Sequence, residues 1–169
     1  LILASIAYGV HGDPEDILIE GIERITKEDI FFANDFEYVI KLLAIAKKVG
    51  EKVELRVHPA LVPKDKMIAK VDGVMNAVSV VGDAVGETMY YGAGAGGAAT
   101  ASAVISDLID IARGLKTPML GYKSPLEKEL KLLAQDEIRT KYYFRLRVED
   151  KVGVLAKITN LMSENHLSI

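Results

Sequence analysis

A glycine-rich run at residues 92–97, with the sequence GAGAGG, restricts how this chain can fold more than any other feature. Alternating apolar residues before it predict two strands, residues 74–81 and 84–91, which turn at Gly82-Asp83. Residues 98–113 after it have the apolar spacing of a helix. The apolar face of this helix consists of Ala101, Val104, Ile105, Leu108 and Ile111. The run therefore predicts a sharp strand-to-helix connection, because glycine adopts backbone conformations that other residues avoid.

The same run is a candidate ligand site, because glycines let a backbone approach a ligand and a helix N-terminus offers free N–H groups. It is not a P-loop, since no Lys-Ser or Lys-Thr pair follows. Gly92, Gly94 and Gly97 fit the spacing GxGxxG, but no βαβ unit with an acidic residue about 20 positions further on accompanies them. The spacing leaves two interpretations open, a cofactor-binding loop and a tight connection packed through small residues.

The first part of the chain combines short helices with a hairpin. Residues 1–10 are apolar enough to form a buried helix, which the run 11–14 (HGDP) ends. Thr26 and Asp29 have the spacing of a capping box, so a short helix is predicted to follow through about Ala33.

The apolar positions of residues 38–48 suit either a helix or a strand. Residues 52–58 alternate cleanly as a strand after a short turn at residues 49–51. A hairpin is favoured because its second half has strand periodicity and the turn is short. Pro59 and Pro63 are expected to end the second strand.

The last part of the chain changes character. Residues 114–138 contain prolines and a charged stretch, which indicates a linker with one or two helical turns near residues 126–134. Residues 142–148 then alternate as a strand, residues 150–153 turn the chain, and residues 154–164 have helical spacing. We therefore expect a second, smaller α/β module.

Composition and charge exclude several classes of protein. A net charge of −3 without a basic cluster argues against nucleic-acid binding. The absence of cysteine excludes disulfides and thiolate metal sites and fits a reducing, cytoplasmic compartment. No apolar run reaches the roughly 20 residues that span a bilayer. The chain opens on LILA without a methionine and closes on HLSI, so trimming at both ends is expected.

Few side chains outside the glycine-rich run are candidates for catalysis or metal binding. His58 is interpreted as a structural histidine at a strand end rather than as a catalytic base. His11 and His166 are isolated, so the histidines form no metal cluster. The acidic candidates are interpreted as capping, turn and loop residues: Asp13, Glu15, Asp16, Asp65 and Asp72.

Several segments resemble, in order, the substrate-binding domain of homoserine dehydrogenases. They are residues 1–9, 21–29, 38–47, 57–63, 72–76, 82–88 and 91–107. Residues 142–169 resemble the first half of an ACT domain, a small-molecule sensor, although that family usually has proline where Val152 stands. The resemblance implies a domain at residues 1–113, a linker at 114–138 and a partial ACT module at 139–169. The implied fold class is α+β, with a mixed or antiparallel sheet, helices on one face, and a following ferredoxin-like βαβ module.

This resemblance implies an oxidoreductase that interconverts L-homoserine and L-aspartate 4-semialdehyde with NADP or NAD, in threonine, methionine and isoleucine biosynthesis. The cofactor would carry the hydride, while the protein supplies orientation and electrostatics. The family's catalytic lysine and Rossmann domain are expected before Leu1, so no catalytic residue is assigned and residues 1–169 alone are predicted to be inactive. The alternative is a non-catalytic module for amino-acid sensing or oligomerisation.

The resemblance also assigns binding roles. The cofactor contact in the glycine-rich run corresponds to Gly96, four residues before Thr100, with Gly94 next to it. The strands between residues 38 and 91 are expected to build the sheet through which these enzymes form a homodimer or a higher homo-oligomer. The ACT module would bind an effector, by resemblance threonine. The turn residues expected to face the effector are Asp150, Gly153 and Val154.

Overall fold

A computed structural model describes residues 1–115 and 130–167 of the chain. Its helices are α1 (Ile2–Tyr8), α2 (Lys27–Asp35), α3 (Gly97–Ala112) and α4 (Val154–Glu164). Its strands are β1 (Leu18–Ile19), β2 (Tyr38–Val49), β3 (Lys52–Pro63), β4 (Met75–Gly82), β5 (Gly86–Ala93) and β6 (Lys131–Leu132). Short 3-10 turns occur at Pro14–Asp16, Met67–Lys70 and Gln135–Glu137. The chain is therefore a mixed α/β protein, as predicted.

The β2–β3 hairpin is the largest element, and its prediction is confirmed. The two strands pair from Tyr38 opposite Pro63 to Val49 opposite Lys52. The turn is made by Gly50 and Glu51, where Gly50 has a φ of 60°. Because φ is positive there, glycine suits this position better than a residue with a Cβ.

Pro63 ends β3 as expected, but the prediction that Pro59 also ends the strand is wrong, because Pro59 pairs with Leu42 inside the ladder. The far edge of β3 explains this. Val57 directs its carbonyl to that edge, where it accepts from the Glu20 N–H at 2.8 Å. Pro59, two residues later, faces the same edge, and among the described residues no strand pairs there. A residue without an N–H therefore costs the ladder no hydrogen bond.

The strands divide between two sheets instead of forming one. In the first sheet the strand order is β1-β3-β2, and β6 also pairs with β3. Strands β1 and β6 run parallel to β3, whereas β2 runs antiparallel to it. The second sheet is β4 paired with β5. That pair was predicted, but its turn lies later than expected, at residues 83–85, because the ladder closes with Gly82 opposite Gly86.

A cluster of buried hydrophobic residues lies where α1 meets β3. It consists of Ala4, Val10, Ile17, Val53 and Leu55. The helix predicted in residues 1–10 is confirmed, but the prediction that it is buried is wrong, since only Ala4 is buried while Ile2 remains 75% exposed. The predicted arrangement of helices on one face is likewise incomplete. Helix α2 packs on β2, whereas α3 has no buried side chain within the described part of the chain.

The end of the described chain agrees with the predicted module only in part. The turn before α4 and α4 itself, Val154–Glu164, are confirmed. The predicted strand at residues 142–148 is absent, because no described segment pairs with its backbone. Residues 116–129 of the predicted linker, and residues 168–169 of the final strand, lie outside the described residues. The helical turns predicted near residues 126–134 are wrong where they are described, because residues 130–134 contain β6, which pairs with β3.

Candidate functional site

The glycine-rich run forms the connection between β5 and α3, as the sequence predicts. Strand β5 ends at Ala93 and α3 begins at Gly97, so three residues, 94–96, turn the chain. Gly96 is the N-cap of α3, with a φ of 113° and a ψ of 152°. Its carbonyl accepts the Thr100 N–H at 3.1 Å. This combination of φ and ψ is essentially restricted to glycine.

The surroundings of Gly94 and Gly96 differ. A Cβ on Gly94 would lie 2.9 Å from the side-chain Cγ of Asn76, which is too close for packed atoms. Asn76 stands opposite Gly92 in the β4–β5 ladder, so its side chain lies beside the glycine-rich run. A Cβ on Gly96 would meet no described atom within 4 Å. The side of Gly96 away from the fold is therefore open.

The first turn of α3 follows directly on this open position. Backbone N–H groups in the first turn of a helix have no partner within the helix, and they carry partial positive charge. Gly96, Gly97 and Ala98 are all exposed. The arrangement can accept a polar or anionic group of a ligand close to the backbone at Gly96, where no side chain intervenes.

The residues predicted to face an effector lie together in one turn. Gly153 is the N-cap of α4 with a φ of 88°, Val154 is the first residue of the helix, and Asp150 is exposed just before them. These residues are close in space because they lie within positions 150–154 of the sequence. The described contacts place no further side chain beside them that would single out a ligand.

Two of the other candidates, His58 and Asp16, make local contacts with the backbone. His58 lies inside β3 opposite Leu43, not at a strand end, and its Nδ1 is 2.8 Å from the Pro59 carbonyl. Asp16 accepts the Asp13 N–H at 3.2 Å, which confirms the capping role. His11 lines an open groove of about 580 Å³ together with Glu15 and Asp16.

One contact that joins β2 to the loop at residues 71–72 has no local signal in the sequence. The Lys41 ammonium donates to the Val71 carbonyl and to Asp72 Oδ1, each at 2.6 Å. In the sequence, Lys41 only interrupts an apolar run, and Asp72 was interpreted as a loop residue. Their separation of about 30 positions left no local signal to connect them.

Asp29 was predicted as a capping residue, and it does more than cap α2. Its carboxylate accepts the Thr26 N–H at 2.8 Å, and its side chain is buried. Tyr143 Oη donates to Asp29 Oδ1 at 3.0 Å, and Arg145 Nε lies 3.1 Å from the same oxygen. The hydrogen bond from the Thr26 backbone, with help from Tyr143 and Arg145, holds the pKa of Asp29 below its ordinary value of 3.8.

We expect this carboxylate to make the stability of the protein sensitive to acid. The pKa of Asp29 is lower in the folded state than in the unfolded state. The ionised carboxylate therefore contributes fully to the free energy of unfolding above the unfolded pKa, and this contribution is lost as pH falls through the folded pKa. The free energy of unfolding should therefore decline as pH falls below about 4, and less steeply in Asp29→Asn. Asp35→Asn, at the exposed far end of α2, is the control. The free energy of unfolding of both variants would be measured by denaturant titration at several pH values. If it falls with pH as steeply in Asp29→Asn as in Asp35→Asn and the wild type, this role is contradicted.

Neither a metal centre nor a membrane span occurs in the described residues. No group of three His, Cys, Asp or Glu side chains among residues 1–115 and 130–167 could hold a metal ion. No helix in these ranges is long and apolar enough to cross a membrane.

Comparison with known proteins identifies the family. Residues 1–109 match the family model described as homoserine dehydrogenase. The chain belongs to the homoserine dehydrogenase family. The homoserine dehydrogenase of Helicobacter pylori is 54% identical over 169 residues, which is 100% of this chain and 40% of that protein. That of Bacillus subtilis is 39% identical over 170 residues, covering 99% of this chain and 39% of its own length.

Solved structures of homoserine dehydrogenases share the fold. The enzyme from Thiobacillus denitrificans is 45% identical and superimposes with a TM-score of 0.86, over 96% of this chain and 39% of that one. The Staphylococcus aureus enzyme at pH 6.0 gives 31% identity and a TM-score of 0.67 over the same shares. The chain thus spans about two fifths of the length of these relatives.

Proposed function

We propose that this chain forms part of an NAD(P)-dependent homoserine dehydrogenase that interconverts L-homoserine and L-aspartate 4-semialdehyde. Family membership over residues 1–109 supports the activity. The observation that carries the proposal is the backbone of Gly96, whose glycine-only conformation leaves an open, side-chain-free position at the start of α3. We place this reaction in the cytoplasm, in threonine, methionine and isoleucine biosynthesis.

We assign the cofactor contact in this chain to Gly96 and to Gly94, two residues before it in the exposed glycine-rich run. The nicotinamide cofactor, when bound, supplies the hydride chemistry. The residues present fit such a group, since exposed N–H groups at the start of α3 can meet its polar atoms and no Cβ at Gly96 obstructs its approach. The part of the chain described here orients the cofactor, and it contributes no acid, base or nucleophile to the glycine-rich run. Whether NADP or NAD is preferred depends on contacts to the ribose 2′ position.

We further propose that the sheet strands form a homodimer interface. The face of the hairpin that carries Leu42 is apolar, and Leu42 is 52% exposed while Leu61 on the same face is 37% exposed. Exposed apolar rows of this kind mark association surfaces. A C2 dimer would bury the same face on both subunits.

Residues 139–167 are proposed to belong to an effector-binding module of the ACT type. The turn at Asp150, Gly153 and Val154 before α4 supports this assignment, since an N-cap glycine leaves backbone N–H groups accessible. Threonine, a feedback amino acid, is the proposed effector. Isothermal titration of the full-length protein with L-threonine tests the module separately from the enzyme activity.

Homoserine-dependent formation of NADPH or NADH by the full-length protein tests the proposed activity. We expect turnover with L-homoserine and none with L-serine, whose side chain is one methylene shorter. The same protein should run the reverse reaction with L-aspartate 4-semialdehyde. Absence of turnover with either cofactor, in a protein that is folded by circular dichroism, would refute the proposal and favour a non-catalytic module.

A further inference from the structure

Residues 139–150 run past the N-terminus of α2 without forming a strand. Side chains at alternate positions of this segment differ in character. Tyr143 and Arg145 face α2, where both contact Asp29. The neighbours that alternate with them are apolar and more than half exposed: Tyr142, Phe144, Leu146 and Val148. The segment therefore has strand periodicity, and the side that carries Tyr143 and Arg145 is the one that contacts α2.

The contacts converge on one buried carboxylate. Asp29 is only 5% exposed, although it carries a formal charge. The Thr26 N–H and hydroxyl both donate to Asp29 Oδ2 at 2.8 Å, while Tyr143 Oη and Arg145 Nε approach Oδ1. Both oxygens are thus satisfied, but by different parts of the chain. Removing the distant donors would leave Oδ1 buried with its hydrogen-bonding capacity unmet, which destabilises the folded state.

Arg145 also binds the other two groups that cap the helix. Its Nη1 donates to the Thr26 hydroxyl at 2.9 Å and lies 3.7 Å from Glu28 Oε2. One guanidinium therefore contacts the N-cap residue and two acidic residues of the first turn. A planar group with several fixed N–H donors suits this task, whereas lysine could not reach all three groups at once.

We propose that Tyr143 and Arg145 form a latch that couples the position of the C-terminal segment to the stability of α2. The latch joins positions 114 or more residues apart in the chain. Because α2 packs on β2, a movement of residues 139–150 would be transmitted to the main sheet. Coupling of this kind is reciprocal, so a change in α2 must loosen the C-terminal segment by the same free energy. The latch does not depend on the identity of the reaction or of an effector.

Hydrogen exchange of the full-length protein, followed by mass spectrometry, tests the latch in both directions. Arg145→Gln and Tyr143→Phe should each speed exchange of the α2 amides roughly three- to tenfold, the range for partly exposed charge-assisted hydrogen bonds. Asp29→Asn, which keeps an acceptor for the Thr26 N–H, should speed exchange in residues 139–150. In the Asp29→Asn background, Arg145→Gln should add little, because the contact that it removes is already weakened.

Matched controls lie one or two residues away. Tyr142→Phe removes the hydroxyl of a tyrosine that is 75% exposed, and Lys141→Gln removes a positive charge from an exposed side chain of the same segment. Neither control should change hydrogen exchange in α2. Arg145→Lys should keep only part of the wild-type protection of the α2 amides. The latch is refuted if the controls loosen α2 as much as the test variants do. It is equally refuted if Arg145→Gln and Asp29→Asn have fully additive effects.

Discussion

Replacing Gly96 with valine in the full-length enzyme is expected to abolish homoserine oxidation or to raise the KM for the cofactor severely. Gly96 has a φ of 113° and a ψ of 152°, which a β-branched residue cannot adopt. The backbone must then rotate, so the N–H groups at the start of α3 change direction and the new side chain fills the open position. Strain of about 1–3 kcal/mol corresponds to a loss of roughly 5- to 160-fold in kcat/KM.

Steady-state kinetics with each cofactor and with homoserine would measure this effect. Gly96→Ala should also lose activity, because the backbone conformation excludes any Cβ. Gly92→Ala is the matched control, since a Cβ there meets no described atom within 4 Å and Gly92 lies within β5, before the turn. A thermal unfolding curve close to that of the wild type separates a local effect from misfolding. Unchanged kinetics in Gly96→Val would refute the assignment of the cofactor contact to this residue.

Replacing Leu42 with aspartate is expected to convert the proposed dimer into monomers. Leu42 lies on the same face of the hairpin as Ile40, Ala44 and Leu61, and about half of its surface is exposed. A charge placed without a partner at an apolar interface must be desolvated when the subunits associate. The loss of about 2 kcal/mol or more that is usual for a central interface residue raises the dimer Kd at least roughly 30-fold.

Sedimentation velocity of the full-length protein over a range of concentrations would show the shift. The control is Val152→Asp, which introduces the same charge at a fully exposed valine in the turn before α4. That variant should sediment as the wild type does. A stable dimer in Leu42→Asp would move the interface away from this face of the hairpin.

Features with local signals could be predicted from the sequence. The β2–β3 hairpin follows from alternation around a two-residue turn, and the capping box of α2 from the spacing of Thr26 and Asp29. The glycine-rich run was also placed correctly between a strand pair and a helix. In each case the residues that determine the structure lie within a few positions of one another. Local hydrogen bonds and steric limits are then sufficient.

Features that depend on distant partners could not be predicted. Residues 142–148 have strand periodicity, yet a strand exists only when another segment pairs with its backbone. Pro59 stays within β3 because the strand on that edge ends before it, which no pattern near Pro59 indicates. The contacts of Lys41 with Asp72 and of Arg145 with Asp29 likewise join groups far apart in the sequence.

The shape of the β2–β3 hairpin has a consequence for the order of folding. Its strands pair along 12 residues each around a turn of two, so its contacts are local in the sequence and can form within about 1–10 μs. The parallel strands β1 and β6 come from opposite ends of the described chain and both dock on the free edge of β3. The hairpin can thus serve as the template on which the two late-arriving strands assemble. Substitutions at its turn should slow refolding more than they speed unfolding.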